Sequence, residues 1–462
     1  MTAPDHRQQL YHVDSSFETL CRIEFSAACS ESQTVNLPVG LVFMTSHDDE
    51  QPQGKHVDAR ANNAEDWAPL LIDAKFRFNR ACQDYVFVID IVLLEANCTA
   101  IDALPEDKPA QLRRHQAIQG CLFGTAVGDA IGLPYEGLSS RRIQRLHAVP
   151  LKHRFFFGIG MLSDDTEHTC LVAQSLIAGN GELNGFIRAL GWRLRWWFLG
   201  LPAGIGMATL RACIKLWLGF PLKRSGVYSA GNGPAMRSAL LGAFAPDDVE
   251  YRIPFVTANT LITHTDPKAL KGAYIIAELA ARNTMAKPLL PANALNALIP
   301  YIEGDEDLLE RITQAIDSAA KNETANDFCA RIGLEKGVTG YIYHTLPVVI
   351  QIVLRHQHDF EAAISEAITA GGDTDTVAAI VGGIVGAGVG THGIPPDWLN
   401  DLWDWPRSQR FIRLLGEELA VVSILKQPGR NQYLDIIRVW MRNFPFMLWV
   451  LAHGFRRLLP PY

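Results

Sequence analysis

No two cysteines stand two residues apart anywhere in the 462 residues; the eight (Cys21, Cys29, Cys82, Cys98, Cys121, Cys170, Cys213, Cys329) are scattered. That dispersal argues against a zinc ribbon or a dense disulfide framework, and it fits reduced thiols in a cytoplasmic protein. Positive charge is not in excess either. The formal net charge is −7, which gives no sign of a nucleic-acid partner, whose phosphates call for a basic surface. Long apolar runs are missing as well. Residues 377–393 are uncharged but glycine-rich and shorter than the roughly 20 residues that cross a bilayer, so no transmembrane segment is expected. Residues 1–6 lack the apolar core of a signal peptide. There is no internal repeat and no low-complexity tract.

What is present is divided unevenly. Residues 1–110 hold 8 Lys and Arg against 18 Asp and Glu, and residues 407–462 hold 9 basic residues against 3 acidic ones. A chain of this length exceeds one ordinary core, and the charge asymmetry points to an attached module with its own partner. Residues 35–44, 75–78 and 85–95 are β-rich, and the polar stretch 46–66 between them reads as a loop. Two prolines and three charges in 104–109 then read as a linker. From residue 111 the texture turns helical, with candidate helices at 171–178, 269–281, 308–320, 360–370 and 377–389. The expected architecture is mainly α: an acidic, β-rich accessory domain over 1–108, an all-α body over 109–405, and a helical extension over 406–462. The extension carries Trp440, Phe444, Phe446, Trp449 and Phe455 among arginines. Such a helix can lie on a membrane surface, but the expectation is that its aromatics pack back onto the body.

Two acidic stretches about two hundred residues apart carry the chemistry: Ser163-Asp164-Asp165-Thr166-Glu167 and Gly371-Gly372-Asp373-Thr374-Asp375-Thr376. Each stands at the start of an apolar run. Helix capping explains one carboxylate and one hydroxyl in each, and leaves Asp165 without a purpose. Carboxylates gathered at one spot repel, and need protons or cations. Oxygen-only donors favour Mg²⁺ or Mn²⁺ over zinc. Cations at a helix N-terminus oppose the helix dipole, which several anionic ligands would overcome. Three further stretches are weaker alone. Glu136 sits in Gly132-Leu133-Pro134-Tyr135-Glu136-Gly137, a turn whose Glu is ordinarily solvated. Gly231-Asn232-Gly233 can aim backbone N–H groups at an anion, although such clusters are mostly plain turns. His264, in Thr263-His264-Thr265-Asp266-Pro267, is either bonded to nearby backbone or in contact with substrate.

Taken together and in their order along the chain, with Gly120-Cys121-Leu122-Phe123-Gly124-Thr125-Ala126-Val127-Gly128-Asp129-Ala130 before them, these stretches resemble the ADP-ribosylglycohydrolase family over roughly residues 115–392. The resemblance implies an all-α bundle with a dimetal centre of two Mg²⁺ or Mn²⁺. It implies metal ligands at Ser163, Asp164, Asp165, Asp373, Asp375 and Thr376, with Ser163 standing where family members often have Thr. Glu136 would lie on a gating loop, the turn at Gly231, Asn232 and Gly233 would hold the diphosphate of ADP-ribose, and His264 would line the same cleft. The implied reaction is metal-assisted glycoside cleavage, with Glu136, Asp165 and Asp375 as catalytic carboxylates and the general base left open between Asp375 and Glu136. The substrate would be an ADP-ribosylated protein. The acidic region 1–108 also resembles, in arrangement alone, the extension of bacterial immunity proteins that plugs a cognate ADP-ribosyltransferase toxin. Two rival readings stand beside this one: a non-catalytic binding or structural member of the fold, and a two-metal phosphoesterase that would cut the diphosphate.

Overall fold

The computed structural model describes residues 107–146 and 151–456 and, before them, the backbone of a few strand segments. The chain divides into two compact units, Met1–Pro109 and Ala110–Tyr462. In the first, the segments Arg22–Ala27 and Leu71–Arg77 both run antiparallel to Tyr85–Leu93. The extent of the expected β-rich domain and any surface it offers a toxin lie outside the described residues.

The second unit contains seventeen α-helices among the described residues, from Asp107–Gly132 to Ile436–Arg456. The five helix candidates are all helices, at Asp164–Ala178, Pro267–Thr284, Glu306–Ala320, Phe360–Ala370 and Thr374–Val389. Several start at side-chain caps. Asp305 accepts from Leu308 N at 3.0 Å and Asp359 from Ala362 N at 2.9 Å, each satisfying a backbone donor that the first turn leaves unpaired. The 104–109 segment does not break the first helix, which begins at Asp107. Pro109 falls in the opening turn, where a missing N–H removes no intrahelical bond.

The centre is an antiparallel pair, Asp107–Gly132 against Thr374–Val389. Gly120, Gly124 and Gly128, four residues apart and hence on one face, lie against Gly386, Gly382 and Ala378. A methyl at any of the three would sit 2.1 Å from a carbonyl oxygen of the other helix, so only glycine permits this approach. One turn further, a Cβ at Gly132 would lie 2.5 Å from the Cα of Asp375. The glycine stripe thereby brings Asp129, on the first helix, beside the second acidic motif.

The body is not wholly helical. Leu138–Ser139 pairs antiparallel with Gly371–Gly372, and Gly137 N donates to Gly372 O at 2.7 Å. Gly371 and Gly372 have φ of 72° and 83°, a region that L side chains avoid. This small pairing ties the turn that carries Glu136 to the residue preceding Asp373.

The C-terminal helix Ile436–Arg456 departs in part from expectation. Phe446 is buried, and half-buried Trp449 donates from Nε1 to Phe155 O at 2.8 Å. Trp440, Phe444 and Phe455 face outward. Among the described residues no helix is long and apolar enough to cross a membrane.

Candidate active site

Ser163 is the N-cap of Asp164–Ala178, and its Oγ accepts from Asp165 N at 3.3 Å. The capping expected from sequence is therefore real. It does not consume the carboxylates, however, because Asp129 from the first helix takes the remaining donors. Asp129 accepts from Ser163 N at 2.9 Å, Thr166 N at 3.2 Å and Thr166 Oγ1 at 2.5 Å. Asp129 stood in the glycine-rich motif but was assigned no role. Nothing local to it signals one, since its partners lie 34 and 37 residues away.

The two acidic motifs meet. Thr376 Oγ1 donates to Asp165 Oδ2 at 3.2 Å across 211 residues. Burial pushes Asp164, Asp165 and Asp375 well above the ordinary carboxylate range, and neighbouring carboxylates push further in the same direction. The neighbours are Glu167, Asp129 and Glu136 for Asp164; Asp164, Asp129 and Asp373 for Asp165; and Glu136, Asp373, Asp165 and Asp129 for Asp375. Asp129 rises to about 6 through burial, against the donors from Ser163 and Thr166. Asp373 is also raised by burial, against donation from Asn232 and Thr376. Five aspartates from three parts of the chain thus share one poorly hydrated spot, as the repulsion argument anticipated.

Asn232 donates from Nδ2 to Asp373 Oδ2 at 2.7 Å and to Thr345 Oγ1 at 3.1 Å. The glycine turn is thereby fastened to the second motif. The turn also wraps a buried imidazole: Cβ atoms at Gly231 and Gly233 would each lie 3.1 Å from the ring of His264. His264 is 3% exposed, with Nδ1 2.9 Å from Thr263 Oγ1. Burial, then the Arg237 charge, lowers it to about 3, so it is neutral at physiological pH. The structure places His264 beneath the turn, supporting it, with Thr263 and the turn as its contacts. Arg237 lies deeper still and fully buried, donating to Asn259, Thr263 and His168 Nδ1.

Behind Asp164–Ala178 lies a buried ionic network that sequence reading did not find. Glu167 receives Trp197 Nε1 at 2.5 Å and pairs with Arg407 at 2.7 Å. Arg442, from the C-terminal helix, pairs with Asp404 and donates to Leu162 O, each at 2.5 Å. Asp404 in turn accepts from Leu162 N at 3.2 Å. Both backbone groups of the residue preceding Ser163 are held in this way.

The donor set suits a hard divalent cation. It consists of carboxylates and hydroxyls, and two buried carboxylate oxygens, Asp165 Oδ1 and Asp375 Oδ1, have no hydrogen-bond partner. An anionic acceptor left bare in this way is unfavourable unless a cation or a proton satisfies it. Among the described residues no group of three or more His, Cys, Asp or Glu side chains stands in an arrangement that could hold a metal ion; the hydroxyls of Ser163 and Thr376 are the further oxygen donors at the cluster. Glu136 is exposed and faces the cluster electrostatically. It also lines a cavity of about 210 Å³ with Leu133, Phe155, Val450 and His453.

The profile described as ADP-ribosylglycohydrolase matches residues 110–428. An ADP-ribosyl-[dinitrogen reductase] glycohydrolase of Rhodospirillum rubrum is 26% identical over 301 residues, covering 62% of this chain and 90% of that protein. ADP-ribosylarginine hydrolase Tri1 of Pseudomonas putida is 26% identical over 312 residues, covering 65% and 77%. A solved ADP-ribosylglycohydrolase-related protein complex aligns with a TM-score of 0.49 and 26% identity, over 68% of this chain and 98% of that one.

Proposed function

Because the chain belongs to the ADP-ribosylglycohydrolase family, we propose that it hydrolyses ADP-ribose from modified protein side chains, ADP-ribosyl-arginine foremost. The observation that carries the reading is the meeting of the two acidic motifs, with Asp165 Oδ1 and Asp375 Oδ1 buried and unpartnered. A relative whose name states arginine specificity, the Pseudomonas putida hydrolase, supports the choice of aglycone.

Ser163, Asp164, Asp165, Asp373, Asp375 and Thr376 would hold two Mg²⁺ or Mn²⁺. When bound, the ions supply Lewis-acid charge that neutralises the cluster and favours deprotonation of water near neutral pH. Asp129 fixes the entrance of Asp164–Ala178, and Asn232 fixes Asp373. Each constrains a carboxylate before any ligand arrives, the preorganisation that site chemistry needs. Glu136 stands between the cluster and the adjoining cavity. In this proposal it accepts the proton from the water that attacks the anomeric carbon, while Asp375 serves as a ligand. The Gly231–Gly233 turn would present backbone to the diphosphate, with neutral His264 keeping its shape.

The test is a panel of ADP-ribosyl linkages (arginine, serine, O-acetyl ester and nucleotide base) with products read by mass spectrometry. Free ADP-ribose from the arginine linkage, at a rate exceeding the other linkages, is the expected result. AMP would establish the phosphoesterase reading instead, and no turnover with retained ADP-ribose binding would establish the non-catalytic one.

The toxin-blocking role of residues 1–108 belongs to the same proposal on charge alone, since a cleft that holds anionic NAD is basic and an acidic module complements it. It requires that the full chain bind and inhibit an ADP-ribosyltransferase, and that a chain lacking residues 1–105 do neither at micromolar concentration.

A further inference from the structure

The C-terminal helix has two apolar faces. Val439, Arg442, Asn443 and Phe446 turn inward and are buried. On the opposite side Ile437, Met441, Phe444, Leu448, Leu451 and Phe455 recur at alternating intervals of four and three residues, each between 51% and 66% exposed. Isolated apolar side chains on a surface need no explanation, but a continuous stripe does.

The stripe is not alone. Trp440, beside it, donates from Nε1 to Leu199 O at 2.7 Å, and Asn443 donates to Gly200 O at 2.8 Å. These contacts dock the helix on the end of Leu183–Leu199. That second helix exposes Trp192 and Trp196, whose rings stand 6.3 Å apart; Trp196 is again 6.3 Å from the exposed ring of Trp217 on Met207–Trp217. Three elements therefore contribute to one aromatic and aliphatic face.

Its charge is mostly of one sign, the exposed acids Glu182 and Asp435 standing only at the starts of Leu183–Leu199 and Ile436–Arg456. Residues 183–246 contain eight Lys and Arg and no Asp or Glu, and residues 436–462 contain four Arg and again no Asp or Glu. Arg188, Arg211, Lys223, Arg224 and Arg438 are exposed. This bias is local, because the whole chain is net acidic.

We propose that this face docks on an anionic lipid surface, with the exposed stripe of Ile436–Arg456 and the tryptophans of Leu183–Leu199 and Met207–Trp217 entering the headgroup region. Tryptophans and long apolar side chains above a predominantly basic surface are what an interfacial helix presents to such a membrane. Each Lys or Arg near it adds attraction to the anionic headgroups that salt screens. The four-three spacing also fits a helical partner, and a second copy is the nearest candidate. Two copies, however, would set the exposed Arg438 of one stripe against the same basic residue of the other, which disfavours self-association. Because Val450, His453 and Gly454 of the same helix line the cavity beside Glu136, docking there would hold the cleft close to the surface. The inference stands apart from the proposed hydrolysis, since neither the stripe nor the tryptophans belong to the acidic cluster.

The experiment is co-sedimentation of the full chain with phosphatidylcholine vesicles, with and without phosphatidylglycerol, together with sedimentation velocity without lipid. The charge and apolar contributions predict recovery on anionic vesicles about tenfold or more above that on neutral ones, suppressed by high salt. The Met441→Glu, Phe444→Glu, Leu448→Glu variant should lose that binding while keeping its helical circular dichroism and its activity on soluble substrate. No recovery at about 1 mM anionic lipid, equal recovery on neutral vesicles, or undiminished binding by the variant would each overturn the proposal. So would a concentration-dependent dimer that the variant abolishes in the absence of vesicle binding, which would assign the face to a second copy.

Discussion

Asp375→Ala and Asp165→Ala are each expected to lower hydrolysis of ADP-ribosyl-arginine by more than the roughly 10–100-fold that losing a partner behind a metal ligand costs, since each would remove a ligand itself. Both should also abolish any rise in thermal midpoint on adding Mg²⁺. The reason lies in the sign of the pKa shifts. Burial and mutual repulsion raise Asp164, Asp165 and Asp375 well above 3.8, and burial raises Asp129 to about 6. Carboxyl groups raised on folding contribute stability below their unfolded value of 3.8, and that contribution is lost as pH climbs through the folded value. Metal-free protein should therefore lose stability between pH 4 and 6 and beyond, and a bound cation should restore it. Cation binding displaces protons, so the Mg²⁺-induced gain in midpoint should be larger at pH 8 than at pH 5. Asp375→Ala removes one repelling charge and one ligand at once. Its metal-free form should accordingly be more stable than wild type at pH 8 and indifferent to Mg²⁺. Scanning calorimetry at the two pH values, beside the rate assay, reads all of this. A variant with wild-type turnover, or with an unchanged Mg²⁺ response, would remove Asp375 from the site.

Much of the helical body was legible in advance because apolar periodicity and caps are local signals. Residues 308–320 and 360–370 read as helices from their own pattern; the Asp305 cap moves the first start to Glu306, and the second begins at Phe360 as read, capped by Asp359. The convergence of the two acidic motifs was legible through a physical contradiction, since helix caps need fewer carboxylates than the chain supplies. Asp129 was hidden because its work is to accept donors 34 and 37 residues away, which no local pattern announces. His264 illustrates the opposite difficulty. A His before a helix can face a ligand or a turn, and nothing in the sequence couples it to Gly231 and Gly233, whose lack of side chains makes room for its ring. The C-terminal helix was misjudged in part because counting aromatics does not separate faces. Phe446 and Trp449 turn inward on one side, while Trp440, Phe444 and Phe455 turn outward.

Arg442→Met is expected to destabilise the protein by about 3–5 kcal/mol, as when one partner of a buried ion pair is removed. The pair lies deep: the Arg442 and Asp404 side chains are 5% and 1% exposed. Methionine fills most of the volume, so the loss would come from Asp404 left buried without its ion-pair partner, and from Leu162 O left without its donor. The denaturant midpoint should fall at unchanged m-value. The penalty should also depend on pH. Burial already raises the Asp404 carboxyl, with Arg442 and then Arg407 holding it down. Without Arg442 the folded value rises further, so the variant is least destabilised in acid, where Asp404 is protonated, and most destabilised as pH rises. Replacing both partners, Arg442→Met with Asp404→Leu, should recover most of the stability, because no unpaired charge remains. It should not recover full activity. Leu162 N and O are both held by this pair, and Leu162 sits immediately before the Ser163 cap, so the double variant should show a depressed kcat with little change in KM. A single variant within about 1 kcal/mol of wild type, or a double variant with wild-type kcat, would show that the C-terminal helix merely covers the body and does not position the first acidic motif.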